Sequence, residues 1–280
     1  MQTNEELKEI VRRKYSEIAL QDKTENAASC CGATSSCCGD QVYNIMSEDY
    51  TKLEGYNPDA DLALGCGLPT EFAGIKKGDV VIDLGSGAGN DCFIARHETG
   101  PEGKVIGIDF TEAMIDKART NAEKLGFNNV EFRQGDIEKM PVGGNVADVI
   151  VSNCVLNLVP DKEKVFSEMF RVLKKGGHFS VSDIVLVGHL PEKWKATAEL
   201  YAGCVSGAIQ KNEYIGYAEK AGFKNLNVQK EKIIHVPDEI LREYLSPEEI
   251  SAYRNSGVGI FSITLYGEKP VACCDPGCCN

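Results

Sequence analysis

Val81-Ile-Asp-Leu-Gly-Ser-Gly-Ala-Gly89 carries the strongest fold signal in this chain. Its first four residues are typical of a buried strand, and the glycines after them are typical of a tight turn into a helix. Glycines let the backbone approach a ligand there, and the N–H groups of the helix N-terminus face that ligand. Asp109 ends the next predicted strand, 20 residues beyond Gly89, where a carboxylate can bind ribose hydroxyls. The pattern predicts a site for a nucleotide-like cofactor.

Strand and helix patterns alternate on both sides of this motif. Strands are predicted over 79–84, 104–109, 130–134, 147–152 and 178–183, and helices from about 89, over 111–125 and over 162–173. Strands that alternate with helices form parallel sheets covered on both faces, so the predicted fold class is α/β with a Rossmann-like, mostly parallel sheet. A turn is predicted at 174–177. Later strands over 227–236 and 259–268, separated by an acidic helical stretch over 237–253, predict a smaller C-terminal α+β region.

Composition and periodicity divide the chain into four parts. An N-terminal helix over 5–20 and a Cys-rich loop occupy 1–41, and the cofactor-binding domain occupies 42–188. A cap and the C-terminal α+β region follow over 189–270, with the helical segment 190–222 expected over the mouth of the sheet. A short Cys-rich tail occupies 271–280.

Charge and cysteine content exclude several classes of partner. With 42 acidic and 30 basic residues, the net charge is −12, which would repel nucleic acid and anionic lipid. The opening residues lack the apolar core of a secretory signal and no run is long enough to span a bilayer, so we expect a cytoplasmic protein without membrane contact. No oligomer interface is evident, and a monomer is expected. Twelve cysteines in such a chain favour thiols for metals, metalloids or redox chemistry over structural disulfides.

Two cofactors are candidates for the glycine motif: a nicotinamide dinucleotide and S-adenosylmethionine. A dinucleotide pattern requires a third glycine at position 90, which is Asn90. Asp83, two residues before the first glycine, instead suits a cofactor whose methionine amine must be held, and Asp136 in Gly135-Asp-Ile-Glu138 follows the third strand where adenine would lie. The segment from Val80 to Asp183 resembles the Class I methyltransferases, which use S-adenosylmethionine. The alternative is a glycine turn that binds no ligand.

Three cysteines stand in separate settings that the fold would bring together. Cys66 lies in Leu64-Gly-Cys-Gly before the first strand, Cys154 ends the fourth strand, and Cys204 lies in the predicted cap. Each alone is more often a small buried apolar residue. Together they would form a soft, thiophilic site above the cofactor's methyl group. Zinc also binds thiolates, but no histidine accompanies these cysteines. Trivalent arsenic fits better, because it bonds to three sulfurs and keeps a lone pair that can attack the methyl group without a general base.

The motifs together resemble the arsenite S-adenosylmethionine methyltransferases, and the similarity covers about residues 42–268. They are the settings of the three cysteines, Asp83 to Asp91, Gly135-Asp-Ile-Glu138, Asn153-Cys-Val-Leu-Asn157, Ser182-Asp-Ile184 and Tyr214 to Phe223. The resemblance implies that Cys66, Cys154 and Cys204 bind arsenic, that arsenite and methylated arsenicals are substrates, and that a glutathione or thioredoxin type of thiol reductant takes part. Detoxification is the implied role. Cys38 lies about where the family carries a fourth cysteine for disulfide relay.

Residues near the strand ends and the glycine motif are expected to bind the cofactor: Asp83, Gly85, Ser86, Gly87, Asp109, Met114, Asp136, Ile137 and Asn153. For Met114, packing against the sheet is an equal alternative. The paired cysteines near both chain ends are interpreted as flexible metalloid capture or as thiol-rich tails. Two other functions stay open at this point. One is a methyltransferase of a small organic substrate with cysteines that only pack, and the other is a non-catalytic metalloid-binding protein.

Overall fold

The computed structural model describes residues 3–21, 48–190, 207–235, 238–242 and 245–271. Its centre is a seven-stranded sheet with the order β3-β2-β1-β4-β5-β7-β6. The strands are β1 Val80–Leu84, β2 Lys104–Asp109, β3 Val130–Gln134, β4 Ala147–Asn153, β5 Leu173–Val187, β6 Lys224–Ile233 and β7 Gly259–Glu268. Neighbours among β1 to β5 are parallel, whereas β7 is antiparallel to both β5 and β6. The predicted α/β fold class with a mostly parallel sheet is confirmed.

Helices cover both faces of this sheet. They are α1 Asn4–Ala19, α2 Pro69–Phe72, α3 Asn90–Thr99, α4 Glu112–Leu125, α5 Lys162–Val172, α6 Lys211–Ala221, α7 Asp238–Leu241 and α8 Pro247–Asn255. Side chains alternate along each strand, so Val81 packs with α3 and α4 in one core cluster, while Ile82 packs with α5 and α6 in another. None of the helices in the described residues is long and apolar enough to cross a membrane.

Strand β5 is longer than its sequence predicts. It runs from Leu173 to Val187, and the predicted turn at 174–177 is an irregularity within this strand, where the register with β4 shifts and Gly176 has a φ of +81°. Pairing at both ends accounts for the extra length. β7 continues its antiparallel ladder with β5 as far as Val187, and at the other end Lys269 N donates to Gly177 O at 2.8 Å. Local composition could not show a partner that lies so far along the chain.

Helix α6 lies on a face of the sheet and not over its mouth. It packs against α5, and Tyr214 is fully buried with its ring 5.4 Å from that of Phe166. The predicted cap is therefore wrong for Lys211–Ala221. Residues 191–206, with Trp194, Tyr201 and Cys204, lie outside the described residues.

The acidic helical stretch predicted over 237–253 forms two short helices, α7 and α8. Helix α8 begins where Ser246 accepts a hydrogen bond from Glu249 N and Pro247 occupies the first turn, which is a strong helix start. Among the described residues, the predicted stretch is thus helical in two segments.

The N-terminal helix forms where the sequence predicts it and docks on the domain. Thr3 and Glu6 form a reciprocal capping box at its start, and Ile18 is fully buried near its end. Lys117 Nζ from α4 donates to Ala19 O at 3.0 Å. The Cys-rich loop over 24–41 and the tail residues 272–280, with their paired cysteines, lie outside the described residues.

Candidate cofactor and thiol site

The glycine loop between β1 and α3 is tied to the neighbouring strand. Gly85 N and Ser86 N both donate to Ile108 O, at 2.8 and 3.0 Å. Gly85 has a φ of +70°, and a Cβ at this position would lie 2.2 Å from Cγ2 of Val155. Both the backbone conformation and the lack of space therefore require glycine here.

A cleft opens beside this loop at the carboxyl ends of β1, β2 and β4. It measures about 1100 Å³, including space open to solvent. All nine predicted cofactor-binding residues line it: Asp83, Gly85, Ser86, Gly87, Asp109, Met114, Asp136, Ile137 and Asn153. Parallel α/β sheets bind their ligands at this edge. Met114 also packs in the core beside α3. It therefore contacts both the cleft and the core, as expected for either of its two predicted roles, cofactor binding or packing.

Asp109 braces the glycine loop. Its Oδ2 accepts a hydrogen bond from Gly87 N at 3.0 Å, and its Oδ1 accepts one from Thr111 N at 2.8 Å. Burial raises the pKa of Asp109, although the backbone hydrogen bonds lower it. Each carboxylate oxygen can accept a second donor, so the side chain can also receive hydroxyl groups of a ligand.

Several buried polar atoms of the cleft have no hydrogen-bond partner among the described residues. Ser86 Oγ, Asn90 Oδ1 and Asp91 Oδ1 share this property, and all three residues line the cleft. Buried polar atoms are normally paired. A ligand with hydroxyl and ammonium groups would satisfy them, so the cleft fits S-adenosylmethionine. Burial raises the pKa of Asp91 to about 6, against hydrogen bonds from Tyr50 and Asn153.

Cys66 and Cys154 meet at the edge of the cleft and form a disulfide, with their Cα atoms 5.8 Å apart. Cys154 directly follows β4, where its backbone has a φ of +59° and its N–H donates to Ser182 O at 2.8 Å. The prediction that these two cysteines converge is confirmed, and the expectation that they are free thiols is wrong for this structure. Their side chains share one small buried space, which is why they can bond.

Three side chains from distant segments hold the Cys66 loop. Asn153 accepts from Cys66 N at 3.0 Å through Oδ1 and donates to Gly67 O at 2.8 Å through Nδ2. Tyr50 OH shares its single proton between Gly67 O at 3.1 Å and Asp91 Oδ2 at 2.9 Å, and Ser262 Oγ donates to Cys66 O at 2.6 Å. Asn153 thus contacts the Cys66 loop while it lines the cofactor cleft. Tyr50 and Ser262 were not predicted, because neither stands in a recognisable motif.

Asp183 lies beside both sulfurs. One carboxylate oxygen and the two sulfurs all lie within 4.8 Å of one another. Asn157 Nδ2 donates to Asp183 Oδ1 at 2.8 Å, and Tyr214 OH donates to Oδ2 at 3.3 Å. Burial raises the pKa of Asp183 to about 7. Asp183 lies within β5 and not at the end of a strand.

The sheet order, the glycine loop and the cleft at the carboxyl edge define the Class I S-adenosylmethionine-dependent methyltransferase fold. A sequence profile described as a methyltransferase domain matches residues 75–222. An arsenite methyltransferase of Halobacterium salinarum is 37% identical over 95% of this chain and 67% of its own length. The chain belongs to the arsenite methyltransferase family, and its prediction as an enzyme of this family is confirmed.

Two further comparisons agree with this assignment. An arsenite methyltransferase of Aquipseudomonas alcaligenes is 32% identical over 85% of this chain and 68% of its own length. The crystal structure of an arsenic(III) S-adenosylmethionine methyltransferase from Chlamydomonas reinhardtii is 33% identical and superposes with a TM-score of 0.63, covering 74% of this chain and 68% of that one. The similarity therefore extends beyond the methyltransferase domain alone.

Proposed function

We propose that this enzyme transfers methyl groups from S-adenosylmethionine to trivalent arsenic, as arsenite and methylarsenite, held by thiolates of Cys66, Cys154 and Cys204. One observation carries the proposal. The sulfurs of Cys66 and Cys154 meet at the end of β4, and Cys154 also lines the cofactor cleft. A thiophilic atom bound to both would therefore lie beside the cleft. Cys204 is included on the resemblance of its sequence setting, since it lies outside the described residues.

The chemistry of trivalent arsenic suits such a site. Soft thiolate ligands favour a soft centre, and an arsenic atom bound to sulfur keeps a lone pair that serves as the nucleophile. No proton then has to be removed from the acceptor. Cys66 and Cys154 are 1% and 3% exposed, so the reduced thiols would hold arsenic where little water competes.

The cofactor is expected in the cleft, with its polar groups facing the strand ends. Asp109 is placed to accept ribose hydroxyls, Asp136 to accept the adenine amino group, and Asp83 to face the methionine ammonium group. Met114 and Ile137 supply apolar contacts along the same cleft. When bound, S-adenosylmethionine supplies an electrophilic methyl group.

The Cys66–Cys154 disulfide is the oxidised form of the proposed arsenic site. Opening it takes two electrons and two protons and gives two thiols, so an external thiol reductant of the glutathione or thioredoxin type is needed before arsenic binds. Methylation formally oxidises arsenic to the pentavalent state. A protein thiol pair that closes again to a disulfide would supply the two electrons that reduce it. Methylated arsenicals and detoxification are the proposed outcome, and a cytoplasmic, monomeric protein stays a prediction.

Transfer of labelled methyl from S-adenosylmethionine to arsenite tests the proposal directly. The reaction is run with excess dithiol, and the arsenic species are separated by chromatography. Methylated arsenic is the expected product, with little turnover when the dithiol is omitted. A protein that binds the cofactor but transfers no label would reject arsenic as the acceptor, and small organic acceptors would then be tried.

A further inference from the structure

Lys8 attaches the N-terminal helix to the cofactor cleft. Its Nζ lies 2.6 Å from Asp136 Oδ2 and 2.5 Å from Glu138 Oε2, and only 16% of its side chain is exposed. Burial lowers the pKa of Lys8, but the hydrogen bonds to the two carboxylates outweigh this and leave it above the ordinary value. The ammonium group therefore stays charged between two acceptors. Exposed ion pairs contribute little, whereas this one is largely shielded from water.

The same helix forms a wall of the cleft. Lys8, Val11 and Tyr15 all line it, and their spacing places them on one face of α1. Beside them, the Arg12 guanidinium lies 4.3 Å from the ring centroid of Phe110, another residue of the cleft. Helix α1 thus contributes side chains to a cleft whose recognisable sequence motifs all lie far along the chain from this helix.

Asp136 connects this wall to the expected adenine position. Its Oδ1 accepts from Glu138 N at 2.8 Å, while Oδ2 accepts from Lys8. Two donors on different oxygens fix the plane of the carboxylate. Each oxygen still has a lone pair, so the carboxylate can accept the adenine amino group in a fixed orientation.

Building on the proposed function, we propose that Lys8 is a positioning residue for the cofactor. It orients the Asp136 carboxylate toward adenine and holds α1 against the bound nucleoside. Release of the cofactor then requires the Lys8 ion pairs to open. Removing the ammonium group leaves α1 fixed at its other end, where Lys117 donates to Ala19 O and Gln21 O, so the helix loosens at the cleft first.

Stopped-flow dissociation of S-adenosylmethionine from the full-length protein tests this role. Lys8→Met keeps the apolar stem and removes the charge, and we expect cofactor release about 10-fold faster, because the pair is only partly buried and contributes less than a fully buried one. Lys8→Arg should restore release to within about 3-fold of the wild type.

Lys104→Met is the matched control. It breaks the ion pair of Lys104 Nζ with Glu131, which is 2.7 Å long and lies at the opposite end of β2 from Asp109, so wild-type release is expected. Release from Lys8→Met within about 2-fold of the wild type, or an equal change in both variants, would overturn the role of Lys8. A wild-type protein that binds no S-adenosylmethionine would instead reject the proposed function, and this inference with it.

Discussion

Replacing Ser262 by alanine should weaken arsenite binding through the loop that carries Cys66. Ser262 is 6% exposed, and its Oγ donates to Cys66 O at 2.6 Å. Leaving a buried carbonyl without this donor costs about 1–3 kcal/mol. If the loop opens to let this carbonyl reach water, fewer molecules keep Cys66 in place. The apparent affinity for arsenite falls in proportion, by about 5- to 150-fold.

Titration calorimetry of the reduced protein with arsenite measures this effect. Affinity for S-adenosylmethionine is measured in parallel and should change little, since Ser262 does not line the cleft. Thr99→Ala is the control, because Thr99 is fully buried and its Oγ1 donates to Asp79 O at 2.7 Å, at the end of β1 opposite the cleft. It should lose comparable stability and keep its arsenite affinity. Wild-type affinity in Ser262→Ala, or equal losses in both variants, would refute the reasoning.

Three other changes address the thiols and their surroundings. Cys154→Ser should abolish arsenite methylation in the label-transfer assay and leave cofactor affinity nearly intact. The control Cys92→Ser should stay active, because its hydroxyl can still donate to Asp83 in place of the present thiol. Turnover in Cys154→Ser would remove Cys154 from the mechanism. Gly67→Ala would place a Cβ 2.5 Å from Ser182 Cβ. We therefore expect a loss of about 1–3 kcal/mol in the free energy of unfolding, measured in urea, and weaker arsenite binding. Unchanged stability and arsenite affinity would show that the loop can shift to accept the methyl group. Burial raises the pKa of Asp183 to about 7. Between pH ~4 and ~7, Asp183 therefore keeps a proton in the folded protein that it has released in the unfolded chain. The free energy of unfolding should fall as the pH rises through this range. Asp183→Asn should remove that part of the slope, and parallel pH profiles of the two proteins would contradict this assignment.

The cofactor half of the structure could be predicted from sequence because its signals are local. The bounds of β2 and β3 match their predictions, and the residues expected around the cofactor all lie in one cleft. Each of these residues stands at a strand end or within the glycine motif, where sequence and position are directly linked.

The surroundings of the thiols could not be predicted in the same way. Ser262 is 196 residues from its partner Cys66, and nothing in the alternating pattern of β7 distinguishes it from other strand residues. Asp183 looked like the end of a short strand, because the antiparallel pairing that extends β5 comes from the far end of the chain. Long-range pairing decides both cases, and a single sequence does not show it.

The bond between Cys66 and Cys154 joins positions 88 residues apart, so it encloses β1 to β4 and the glycine loop in one covalent ring. Cross-linking a loop of this length restricts the unfolded chain by about 4–5 kcal/mol in the chain-entropy model. On the proposed mechanism, arsenic would bind both sulfurs only after that ring is opened. The reduced, arsenic-free form of the enzyme therefore lacks this covalent ring, and each reductive step that prepares the site also makes the half of the molecule with the glycine loop easier to unfold.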